Sequence, residues 1–136
     1  RATPAARRYF NGLIFLYGAG FIGYFLLPAA GPAFTTHPDG GAGGLITPTL
    51  IAIIKGGVTG MDVFPSLHTA LTLYITAYLW RDGKRAAALL CAPLTAGTIT
   101  ATIFLRYHYG VDVLAGILLA VLALRGTSAR TPLNAA

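Results

Sequence analysis

Four apolar runs, at residues 9–28, 66–81, 86–105 and 109–125, are bounded by basic residues or by glycine and proline. The first reads YFNGLIFLYGAGFIGYFLLP. At about 1.5 Å per residue, a helix of that length matches a bilayer core roughly 30 Å thick. Charged residues make up only 10% of the chain and hydrophobic ones 55%, with a mean hydropathy of +0.67. A soluble domain carries about 25% charged residues, so the pattern predicts a membrane protein. The expected fold is all-α, a polytopic transmembrane bundle with four spans, in one membrane domain covering residues 1–136.

The punctuation between the runs supports that reading. Pro28 and Pro32 close the first run, and Gly12, Ala19 and Gly23 within it are small enough for close helix contact. Residues 29–65 are rich in Gly and Pro and read as a loop. Inside it, LITPTLIAIIKGG is too short to span and predicts a short helix at the interface or in the mouth of the bundle. The net charge of +6 does not point to nucleic acid, because the basic residues lie in clusters between apolar runs and not along one polar face. Cys91 is the single cysteine and sits in an apolar run, so it reads as a helix-packing residue.

With four spans, the connections alternate between the two sides of the membrane. Arg1, Arg7, Arg8, Arg81, Lys84, Arg85, Arg125 and Arg130 then fall on one side, which the positive-inside rule makes cytoplasmic. The other side receives Lys55 and Arg106, all three histidines, and Asp39, Asp62 and Asp112. The candidate chemistry therefore gathers on the extracytoplasmic face.

Two stretches carry it. FPSLH places Ser66 and His68 at the outer end of the second run, and RYHYGVD places Arg106, His108 and Asp112 at the outer end of the fourth. Ionisable groups beside hydrocarbon are costly and point to function. His108 and Asp112 stand at i and i+4, so a helix puts them on one face. A carboxylate at one imidazole nitrogen fixes the tautomer and leaves the other to act as nucleophile or base. Arg106 offers a planar cationic fork for phosphate oxygens, Ser66 a hydroxyl, and the N–H groups of a helix start an anion site. His68 is a second proton carrier. By residue type His68, His108 and Asp112 also suit a metal, but no HExxH motif or paired cysteine supports one. A serine hydrolase built on Ser66 lacks the G-x-S-x-G elbow.

At these two stretches the chain resembles the type 2 phosphatidic acid phosphatase superfamily of membrane lipid phosphatases and phosphotransferases. The family motif PSGH reads PSLH here (residues 65–68), and the H-x-x-x-D part of the family's SRxxxxxHxxxD reads HYGVD, followed by VLAG. The family's Ser-Arg would fall at Ala101 and Thr102, so both are absent, and Arg106 is the candidate to supply that charge. The earlier Lys and Arg-Pro motif is replaced by YFLLPAAGP, and this segment with FPSLH looks most like the inositol phosphorylceramide synthase branch. Family members have six spans with the motifs on the last four, which implies that the spans here correspond to those.

The resemblance implies a mechanism. His108 attacks phosphorus, Asp112 supports it, and His68 protonates the leaving oxygen and then activates the acceptor. Ser66, Arg106 and Lys55 would bind the substrate, a lipid-linked phosphate among membrane lipids. No metal or organic cofactor is expected. Two alternatives accompany hydrolysis: transfer of a phospho-headgroup to an alcohol, and a non-catalytic role with membrane-protein partners in a larger complex.

Overall fold

The computed structural model describes residues 3–32 and 63–128. Lys55, Asp62 and the short helix expected within residues 45–57 lie outside them. Four helices run through the described residues: α1 (Pro4–Leu26), α2 (Leu67–Arg81), α3 (Arg85–Phe104) and α4 (Gly110–Ser128). No strand occurs among the described residues. α1, α3 and α4 are long and apolar enough to cross a membrane. α2 has 15 residues and rises only about 22 Å, less than the roughly 30 Å core.

Helix ends are set by local chemistry. α1 begins at Pro4, ahead of its apolar run, because Thr3 caps it: the Thr3 hydroxyl accepts the Ala6 N–H at 3.2 Å, and proline occupies the first turn. α2 and α3 both end in the same six-residue turn. At the end of α2, the N–H groups of Gly83 and Lys84 donate to the carbonyls of Trp80 and Leu79 at 3.3 and 3.0 Å. At the end of α3, those of Arg106 and Tyr107 donate to Ile103 and Thr102 at 3.0 and 2.9 Å. This closure requires one left-handed residue. Gly83 takes that place in the first turn with φ +80°, and Arg106 takes it in the second with φ +55°.

α2 is the hub, packing against α3, α4 and α1, while α4 also packs on α1. Small residues on α1 let it approach closely. A side chain at Gly12 would overlap the Tyr74 ring, and one at Gly23 would overlap Pro65. Leu16, Ala70, Tyr74, Tyr78, Ala120 and Ala123 form the core between α1, α2 and α4. The α2–α3 contact carries a polar link, with the hydroxyls of Thr76 and Thr95 2.7 Å apart. In lipid, apolar surface supplies little drive for association, so close packing and such hydrogen bonds do more of the work. The outward faces are apolar: Ile14, Phe25, Leu90, Leu94 and Leu118 are all exposed.

The bundle has two chemically distinct ends. At one, Tyr78 donates to the Ala5 carbonyl at 2.7 Å and Arg81 to the Leu124 carbonyl at 2.7 Å. These contacts bring the start of α1 and the ends of α2 and α4 together. Arg7, Arg8, Arg81, Lys84, Arg85 and Arg125 gather there. At the other end, a side chain at Gly20 would meet Leu67, and one at Gly31 would meet the Tyr107 carbonyl. That end carries both histidine-bearing segments.

Candidate active site

The first segment enters α2 through Ser66. The Ser66 hydroxyl accepts the Thr69 N–H at 3.3 Å and donates to the Thr69 hydroxyl at 3.0 Å. Ser66 is fully buried. Its side chain therefore acts as a helix cap, satisfying one of the orphan donors of the first turn. His68 is the second residue of α2, within its first turn, and is exposed.

The second segment turns out of α3. The Thr102 carbonyl accepts the N–H groups of both Tyr107 and His108, at 2.9 and 3.1 Å. This double acceptance fixes the backbone on which His108 is carried. Asp112 lies in the first turn of α4, and its Oδ2 accepts the Tyr109 N–H at 2.7 Å. An acidic side chain reaching back to the residue before the helix is one half of a capping box. The same Oδ2 is 3.8 Å from His108 Nδ1. That exceeds a hydrogen bond but is an electrostatic contact between two groups that are both only 2% exposed.

The two histidines come from different helices, and their ring centroids are 5.8 Å apart at 59°. Tyr107 stands edge-on to both, 5.8 Å from His68 and 5.0 Å from His108. Two main-chain features hold the segments together. The Ser66 N–H donates to the Asp112 carbonyl at 3.0 Å. Gly116 also lets α4 approach so closely that an added Cβ would lie 2.5 Å from the Ser66 carbonyl oxygen.

His68, His108, Asp112 and Ser66 thus share one end of the bundle. Arg106 belongs to the same turn and is exposed. Sequence reasoning missed Tyr107, which nothing marks until the turn is known. Gly116, one turn beyond Asp112, is the second such residue, and a glycine at that place in an apolar run is a sequence signal for close backbone approach.

The PAP2 superfamily model matches residues 1–125. The chain belongs to the PAP2 superfamily. Comparison with curated proteins and with solved structures returned no match. Membership supports phosphatase-type chemistry in general, and the three long apolar helices support an integral membrane protein. The matched PAP2 region contains His68, His108 and Asp112, and also Ala101 and Thr102 at the end of α3. Thr102 is buried, and its hydroxyl donates to the Ile99 carbonyl at 2.9 Å.

Proposed function

We propose that this protein is a membrane phosphatase that hydrolyses a lipid-linked phosphate through a phosphohistidine, at the extracytoplasmic face. The observation that carries the reading is the pairing of His68 and His108 across 5.8 Å, with Asp112 beside His108. Two imidazoles at that spacing allow one to attack phosphorus while the other serves the leaving oxygen.

Asp112 lies on the Nδ1 side of His108, which leaves Nε2 to attack. A bond forms between Nε2 and phosphorus, and the ester P–O bond breaks. Protonated His68 gives its proton to the departing lipid oxygen. Water then approaches from the same side, His68 takes its proton, the P–N bond breaks and inorganic phosphate leaves. Asp112 stabilises the positive charge on the His108 ring during attack, as a carboxylate does for an attacking or proton-accepting imidazole. The His108 side chain is fully shielded from solvent, so its ring must be uncovered before phosphorus can reach it.

The phosphate charge needs donors. The backbone N–H groups at the start of α2 point out of a helix N-terminus, beside both rings. Arg106 is the basic side chain at this end among the described residues and supplies the cation that the missing Ser-Arg pair would give. Lys55 is a second candidate on sequence grounds.

Purified protein given a phosphatidic acid should release inorganic phosphate, with or without an alcohol acceptor present. Acid quenching would destroy a phosphohistidine, so the intermediate is trapped in alkali. Label that appears on wild type and not on His108→Ala supports the reading. Equal label on both would overturn it.

A further inference from the structure

At the end of the bundle opposite the histidines lies a half-open pocket of about 130 Å³, lined by Arg8, Tyr78, Arg81, Asp82 and Thr127. We infer that this pocket binds the phosphate group of an anionic phospholipid.

The charge around it is one-sided. Arg7, Arg8, Arg81, Lys84, Arg85 and Arg125 stand at this end, and of the two aspartates among the described residues only Asp82 does. Asp82 Oδ2 lies 2.9 Å from Lys84 Nζ, so its charge is already matched and does not oppose an incoming anion. The two arginines remain as the cationic walls. Arg81 is held in place, with Nη1 2.7 Å from the Leu124 carbonyl and Nη2 3.4 Å from the Thr127 hydroxyl. A guanidinium fixed in this way presents its planar donors without first losing rotamer freedom. Tyr78 and Thr127, each 7% exposed, make the floor.

The location selects a lipid. Arg8, Arg81 and Thr127 sit at the termini of helices whose sides are apolar, which is the depth of the headgroups. Trp80 is half exposed beside them, with the Arg85 guanidinium 5.8 Å from its ring centroid. An aromatic ring and a cation at a helix end mark the membrane–water interface. Basic pockets between transmembrane helices at this level recognise anionic headgroups. The space suits one phosphate group, and the cationic walls disfavour a headgroup that carries its own positive charge, such as choline.

The test is native mass spectrometry of the full chain in detergent titrated with phosphatidylglycerol or phosphatidylcholine. Wild type should retain phosphatidylglycerol preferentially. Each of Arg8→Gln and Arg81→Gln should weaken that retention about tenfold, because each removes a charge-assisted hydrogen bond to the phosphate. Arg125→Gln, at the same end but outside the pocket, should cost clearly less, no more than the diffuse attraction of one surface charge. Arg8 decides the matter even if Arg81→Gln disturbs the α2–α4 contact, because the Arg8 side chain is exposed. Equal losses in Arg8→Gln and Arg125→Gln would overturn the proposal, since diffuse charge would then suffice. Displacement of the lipid by millimolar inorganic phosphate would overturn the lipid assignment in favour of the soluble ion. The pocket is remote from His68 and His108, so this result stands or falls separately from the proposed hydrolysis.

Discussion

The Ser66 N–H donates to the carbonyl oxygen of Asp112 at 3.0 Å, so the two histidine-bearing segments are joined main chain to main chain. The geometry between His68 and His108 depends on that junction and on Gly116, which allows it. Gly116→Ala would put a Cβ 2.5 Å from the Ser66 carbonyl oxygen and 3.0 Å from the Thr69 Cβ. A backbone oxygen cannot swing aside as a side chain can. We expect destabilisation of about 1–3 kcal/mol, as for other overpacked contacts, with a larger loss of turnover. Gly97→Ala and Gly126→Ala, where an added Cβ meets nothing within 4 Å, should cost neither. Thermal unfolding and phosphate release on the three variants would check this.

His108→Ala and Asp112→Asn should separate the two members of the pair. Removing His108 deletes the attacking atom, so turnover should vanish in a protein that still folds. An asparagine at 112 can still accept the Tyr109 N–H, which preserves the start of α4. It loses the charge 3.8 Å from His108 Nδ1. Turnover should fall by roughly two to four powers of ten and remain measurable. Full activity in His108→Ala would rule out a covalent intermediate on that ring.

Much of the fold was legible because hydrocarbon forces a simple rule on the chain, and apolar run length reports it directly. The rule fails where polar groups set the boundary. Hydropathy starts the first run at Tyr9, whereas α1 starts at Pro4, because a Thr3 cap and a proline carry the helix through Arg7 and Arg8. The i, i+4 spacing of His108 and Asp112 foretold their contact but not its form: His108 stands in the bend before α4, so the turn out of α3 and not helix periodicity sets it. Ser66 was legible as a hydroxyl at a helix start, but only its bonds to Thr69 reveal it as a cap. The place of Tyr107 beside both imidazole rings was not legible. It depends on a left-handed residue at 106, and arginine gives no signal for that conformation.

Topology has its own test. The gathering of basic residues at the start of α1 and the ends of α2 and α4 predicts that the α2–α3 turn faces the cytoplasm. The hydrogen bond and charge of Asp82 raise the pKa of Lys84, so the turn keeps its positive charge through neutral and mildly alkaline pH. With Cys91 replaced by alanine, Lys84→Cys should resist an impermeant thiol reagent applied outside intact cells. Gly110→Cys, at the histidine end with open space around it, should react. Labelling of position 84 alone would place the histidines on the cytoplasmic side.

Arg106 gives the sharpest separation of structure from function. It occupies the left-handed position of a helix-closing turn that glycine fills at Gly83, and a side chain there costs about 1 kcal/mol or more. A residue with such a cost is explained if its side chain does something the turn does not need. Arg106→Gly should therefore stabilise the protein by about 1 kcal/mol, because the bonds from Tyr107 and His108 to the Thr102 carbonyl are kept and the strain is relieved. The same change should lower phosphate release at least tenfold, since the phosphate loses a cation. Arg106→Ala isolates the charge: it keeps most of the strain and should lose as much activity. Arg106→Lys keeps a positive charge without the planar fork and should fall between wild type and alanine. Unfolding midpoints and initial rates on the three variants decide it. A glycine variant that is both more stable and fully active would show that Arg106 contributes nothing to the phosphate site.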